Sequence, residues 1–162
     1  MSLLASLVVM LLASLGGAEQ FQTVFRNPVF EITMPPGVPL PTPTKVADAT
    51  GADYSAETPS AIYRMQYTEM PSGDAEKLFA SILGNIKGVF RVETQSRFTH
   101  QGYPGMRLAL SSTELKQVQR MDCIMVDQRL VRVWIIARNM ADVDTPAVRA
   151  FFESLRIKTD RR

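Results

Sequence analysis

Residue types able to carry chemistry are scarce in this chain. A single histidine, His100, and a single cysteine, Cys123, stand among 162 residues. A general base needs positioned partners, and zinc needs several nitrogen or sulfur ligands, so a multi-histidine metal site or a Cys-His-Asp relay has little to work with. His100 lies beside a turn, where a surface position is the simplest reading. Cys123 alternates with Met121 and Met125, the pattern of a buried, unreactive thiol, and no neighbour in sequence marks it as a thiolate. With no second cysteine, no intrachain disulfide can form. Asp122 and Asp127 could be imagined as paired carboxylates for calcium or acid–base work, but one falls on a strand and the other in a turn, and both are expected to face water. There is no Gly-x-Ser-x-Gly elbow, phosphate-binding glycine loop or dinucleotide fingerprint. No catalytic residue, metal or cofactor is therefore expected, and the chain reads as a non-enzyme.

One constellation suits recognition. Arg132, Trp134 and Arg138 share one face of an extended segment, and Arg120 lies on the strand before it. If a helix covers that face only in part, these four residues form an aromatic-and-arginine surface of the kind enriched at protein interfaces. The competing reading packs Trp134 beneath a helix.

The elements that must position these residues are read from periodicity. Pro104–Arg138 predicts three antiparallel strands at Met106–Ser112, Gln117–Val126 and Arg129–Arg138, with Asp127-Gln128 as the tight link between the last two. Val131, Val133, Ile135 and Ala137 share one face of the third, and Leu130 and Ile136 join the other, so this strand is expected near the sheet centre. Gln101-Gly102-Tyr103-Pro104-Gly105 is a turn feeding the first. Leu78, Phe79, Ile82, Leu83 and Ile86 form one face of a helix over Ala75–Asn85, begun by Asp74 and closed by Gly88 as a left-handed cap. Thr145 and Pro146 open a second helix that buries Val148, Phe151, Phe152 and Leu155, after a polar loop at Asn139–Asp144. Further strands are expected at Val29–Met34, at Lys45–Tyr54 with an interruption at Gly51, at Ala61–Tyr67 and at Val89–Phe98, and the proline-rich Pro35–Pro43 is expected to be a surface loop. The expected fold is α+β: one domain over 28–158, with a mainly antiparallel sheet of about six strands and two main helices.

The amino terminus reads differently. Leu3–Leu15 is nearly all apolar and is followed by Gly16-Gly17-Ala18, matching the apolar core and cleavage zone of a secretory signal peptide over 1–18. Cleavage after Ala18 would make Glu19 the first mature residue, with 19–27 as a connector and 159–162 as a frayed tail. No Lys or Arg precedes the apolar run, so an uncleaved anchor is the alternative, and membrane contact is expected only in that case. The expected location is therefore periplasmic or extracellular. A hydrophobic content of 46% supports a packed core. The net charge of +2 is too small to imply nucleic acid, although the carboxyl half is the more basic.

Some local motifs add a resemblance. Met34-Pro35 closes the opening strand, and a tyrosine-rich strand runs through Ala61–Tyr67 before the Ala75–Asn85 helix. Gly102-Tyr103-Pro104-Gly105 precedes Arg107-Leu108, Arg120 and Met121 enter the strand pair, and Val148–Phe151–Phe152–Glu153–Ser154–Leu155 ends the chain. In this order they resemble the PsbP-like superfamily, which includes the extrinsic PsbP subunit of photosystem II, the Ran-binding Mog proteins and exported bacterial proteins of unknown role. The resemblance covers roughly residues 28–157 and implies an αβα sandwich with a central antiparallel sheet. It implies a binding or accessory role more than catalysis. The expected function is an exported, non-enzymatic accessory domain docking on an envelope-associated assembly, with an unidentified protein as partner. The alternative is a small-molecule or lipid carrier with its ligand between the sheet and the Ala75–Asn85 helix, supported by nine adaptable methionines.

Overall fold

The computed structural model describes residues 22–44 and 50–158. The expected signal segment and cleavage zone, the first three residues of the connector, residues 45–49 and the tail 159–162 lie outside the described residues. A seven-stranded antiparallel sheet runs in the order β3 (Thr42–Thr44), β4 (Gly51–Glu57), β5 (Ala61–Glu69), β9 (Arg129–Ala137), β8 (Gln117–Val126), β7 (Tyr103–Ser112) and β6 (Arg91–His100). A second, three-stranded sheet joins β1 (Val24–Arg26), β2 (Phe30–Thr33) and β10 (Arg156–Ile157). The fold is α+β, as expected, but with more strands: part of the expected connector pairs as β1, and the end of the proline loop pairs as edge strand β3.

Tight turns set the register. β6 returns into β7 through Gln101 and Gly102, with φ of 49° and 87°, the left-handed pair that matches hairpin twist. Asp127 at φ 54° begins the two-residue link that pairs Val126 with Arg129. That register places Met121 opposite Trp134 and Arg120 opposite Ile135. On one face of β9, Val131, Val133, Ile135 and Ala137 are buried; on the other, Leu130 and Trp134 are.

Each face has its own cover. On the first, α3 (Pro146–Glu153) and the small sheet bury Phe30, Ile32, Phe151 and Leu155 against β5, β9 and β8. Thr145 caps α3 by accepting from the Val148 amide at 3.1 Å, and the Ser154 hydroxyl just past its end accepts from the Thr33 amide at 2.9 Å, tying α3 to β2. The expected polar loop before it contains a one-turn helix, α2 (Met140–Val143), whose Val143 is buried. On the second face lies α1 (Ala75–Ile86), started by Asp74 accepting from Lys77 at 3.1 Å. It packs over Met106, Leu108, Leu110, Met121 and Cys123.

Two details of α1 differ from expectation. Gly88 is not left-handed; the helix ends on Lys87, whose amide donates to Leu83 at 3.1 Å. Of the five apolar side chains on its stripe, only Phe79 is fully buried, and the others are half-buried because a single helix on an open sheet has no flanking cover. Phe79 is thus the anchor of this interface. Phe79→Ala is expected to cost about 3–5 kcal/mol, and Leu83→Ala clearly less, in urea unfolding of the full chain.

Candidate functional site

Two arginine-bearing sites stand on opposite faces of the large sheet. On the α1 face, β4, β5 and β9 carry Asp53, Arg64, Gln66, Arg132 and Trp134 side by side. Arg64 pairs across strands with Trp134, and Gln66 lies between Asp53 and Arg132. The Arg64 guanidinium lies 4.9 Å from the Trp134 ring centre and that of Arg132 5.3 Å, so two cations close over one indole. Arg64 is ion-paired with Asp53, and Arg132 donates to the Gln66 carbonyl oxygen. Two polar atoms here, Arg132 Nε and Asp53 Oδ1, are buried without a hydrogen-bond partner among the described residues. Burial holds the Arg132 guanidinium below its ordinary pKa. Among the described residues, α1 is the only helix on this face, and the apolar cluster it shares with Trp134 includes no residue of β4 or β5.

The residues expected to form one surface are therefore divided. Arg132 and Trp134 lie side by side, but Trp134 is only 6% exposed and shares a cluster with the apolar side chains of α1, as the competing reading has it. Arg138 is exposed just beyond the end of β9. Arg120 is a correction: opposite Ile135, it points to the α3 face, where its guanidinium stacks 4.6 Å from the Phe152 ring centre. The residues that complete the tryptophan cluster, Asp53, Arg64 and Gln66, were not singled out from sequence. Their signal was available in the alternation of β5, which puts Arg64 and Gln66 on the face opposite Tyr63 and Met65.

On the α3 face, β6, β7, β8, α2 and α3 enclose a cleft of about 360 Å³. Arg107, Arg120 and Arg149 line it together with Asp144, between apolar walls that include Ala109, Met140 and Val143. Arg107 is held by a bidentate pair with Asp122 at 2.7 and 2.8 Å and stacks 5.0 Å from the Phe98 ring centre; the Asp122 hydrogen bonds raise its pKa. Asp122 is only 3% exposed, which corrects its expected exposure to water: the register sets it directly opposite Arg107. Asp144 lies 3.1 Å from Arg149 and 3.6 Å from Arg120. Desolvation, with Arg107 nearby, pushes Arg120 below the ordinary guanidinium value.

The remaining candidates show no catalytic grouping. Cys123 is fully buried and its thiol is pushed up to about 12 by desolvation. Asp127 occupies the β8–β9 turn. No group of three or more His, Cys, Asp or Glu side chains is placed to hold a metal ion among the described residues. His100 is half-buried rather than exposed, because the chain end at Leu155–Arg156 packs beside it. Its Nε2 is buried without a partner, and desolvation lowers its pKa.

No family model and no curated protein sequence matches the chain. Among solved structures, cyanobacterial PsbP (CyanoP) from Synechocystis sp. PCC 6803 superposes with a TM-score of 0.60 at 11% identity, covering 91% of this chain and 99% of that one. The fold is PsbP-like. A protein of unknown function from Pseudomonas aeruginosa also matches, at a TM-score of 0.46 and 15% identity over 75% of this chain and 85% of that one. No helix among the described residues is long and apolar enough to cross a membrane.

His100 makes stability depend on pH. The unfolded imidazole protonates near its ordinary value of about 6.5, whereas the folded one resists until lower pH. Its contribution is therefore complete above the unfolded value and is lost as pH falls through that value toward the folded one. Urea midpoints measured from pH 8 to pH 5 are expected to decline across this window, and His100→Asn is expected to flatten the decline.

Proposed function

We propose that this chain is an exported, non-enzymatic accessory domain that docks on an envelope-associated protein assembly. The proposed docking surface is the Arg64–Trp134–Arg132 face with Arg138 beside it, and the proposed occupant is an acidic protein surface. The observation that carries this reading is the pair of buried atoms left without partners, Arg132 Nε and Asp53 Oδ1, beside a tryptophan on a sheet face that α1 covers only in part. Buried polar atoms are ordinarily satisfied, so the chain's own groups do not complete this cluster, and the partly exposed Arg64 and the exposed Arg138 are the donors a partner carboxylate could reach. Arg64 is paired with Asp53, so Arg132 and Arg138 leave the patch net positive and complementary to acidic groups. Tryptophan and arginine are also the residues that most often dominate interface energies.

The PsbP-like fold supports an accessory role by analogy, and the apolar Leu3–Leu15 segment with Gly16-Gly17-Ala18 supports export. The carrier alternative fares worse. Its proposed pocket, between the sheet and α1, is occupied by Phe79, Met106, Leu108 and Cys123, all fully buried side chains.

Docking is testable in the native host. A photo-crosslinking residue placed at Arg64 or Arg138 of the full chain is expected to give a discrete adduct with an envelope protein, and one at Glu114, in the β7–β8 link, is not. Adducts from none of these positions, with the chain recovered only as a free monomer, would refute docking. Export is tested separately: sequencing the mature protein is expected to read from Glu19, and a soluble product retaining Met1 or Ser2 would count against it.

A further inference from the structure

We propose that the cleft between α2, α3 and strands β6–β8 binds a monocarboxylate carrying an apolar chain, with Arg120 receiving the carboxylate. This site lies on the opposite sheet face from the docking surface proposed above and does not depend on it.

Charge distribution in the cleft selects the ligand. Arg107 already holds a carboxylate, its two hydrogen bonds going to the two oxygens of Asp122. Asp144 is one acid shared by two cations: it hydrogen-bonds Arg149 at 3.1 Å and stands 3.6 Å from Arg120. Arg120 makes no hydrogen bond among the described residues, although only 16% of its side chain is exposed. Of the three guanidinium groups that line the cleft, Arg120 is thus the one whose N–H donors no acceptor takes up, its only acid being Asp144 at 3.6 Å, shared with Arg149. A single guanidinium with free donors, 16% exposed, suits a monoanion, whereas a phosphate dianion would bring a second charge into a largely desolvated position.

The position of Arg120 also fits reception of a ligand. Its guanidinium lies over the Phe152 ring, a contact that uses none of its N–H donors. Those donors form the planar fork that matches a carboxylate with two parallel hydrogen bonds. Desolvation already lowers its pKa, as expected of a cation held in place without a full set of partners.

The walls supply the apolar half. Ala109 sits on the floor between Arg107 and Arg120, and its small side chain leaves the space that a longer one would fill. Met140 and Val143 of α2 form the side, with Met140 42% exposed at the rim. A volume of about 360 Å³ lies at the lower end of the range of small-molecule pockets, enough for a short aliphatic chain. The same chemistry is offered by a free medium-chain acid and by the carboxyl terminus of a peptide with an apolar last residue.

Titrations of the isotope-labelled full chain, followed by amide chemical shifts, separate these cases. Sodium octanoate, octan-1-ol, inorganic phosphate, and a hexapeptide ending in leucine as free acid and as amide are the probes. Saturable shifts around Ala109, Arg120 and Val143 with octanoate, absent with octanol, support a free acid. The same shifts with the peptide acid but not its amide support a chain terminus. Arg120→Gln is expected to weaken binding at least tenfold. Arg120→Lys is expected to retain part of it, and Lys87→Gln, at the exposed end of α1 on the opposite face, all of it. The spectra themselves report whether each variant is folded. Octanol binding as tightly as octanoate, phosphate binding more tightly than either acid, affinity unchanged in folded Arg120→Gln, or no response to either acid would overturn the proposal.

Discussion

The structure depends on one constraint: β8 and β9 are apolar on both faces. Val131, Val133 and Ile135 on one side of β9, and Leu130 and Trp134 on the other, are all nearly or fully buried, as are Ile124 and Val126 against Cys123 and Met125 on β8. Such strands need cover on both sides, because each apolar side chain left in water forgoes about 1.5–3 kcal/mol. The chain provides unequal cover. One face receives α2, α3 and a three-stranded sheet; the other receives α1 alone among the described residues.

On both faces, arginine adds to the apolar cover. Arg64 and Arg132 lie over Trp134, Arg97 over Phe79, Arg107 over Phe98 and Arg120 over Phe152. The guanidinium is flat and more weakly hydrated than an ammonium, so it can lie on a ring while its edge keeps hydrogen bonds to acids or water. This gives the arginines of the carboxyl half a role within the fold. It also explains how Trp134 is almost fully buried when α1 reaches only one side of it.

Much of this was legible because the main elements are periodic and local. The alternation of 106–137 and the stripe from Leu78 to Ile86 mark their strands and helix directly, and Thr145-Pro146 marks the start of α3. The small sheet was not legible in full: β10 joins β2 across more than 120 residues of chain, and no local pattern reports such a pairing. Arg120 is a different case. A two-residue link at Asp127-Gln128 pairs Val126 with Arg129, and counting back from it sets Trp134 opposite Met121, so the face of Arg120 could have been worked out from the turn. Asp122 follows by the same parity, but its burial depends on Arg107 arriving opposite it from β7, which needed the second register as well.

A backbone likeness at 11% identity says that this arrangement of strands tolerates very different side chains. The centre of the sheet is where substitution is easiest, since any apolar residue of suitable volume serves there. Polar residues on the sheet faces are constrained in another way, because each must find a partner or lose stability. Arg107 and Asp122 satisfy each other and can be understood as structure alone. Arg120 and Arg132 are not satisfied in that way: one faces a cleft without a hydrogen bond, and the other keeps an orphaned Nε beneath a bare sheet surface. Nothing in packing requires a cation at either place, since leucine or methionine would cover Phe152 or Trp134 without the cost of desolvating a charge. Each of these two guanidinium groups covers a ring within the chain while keeping donor capacity that its neighbours leave unused.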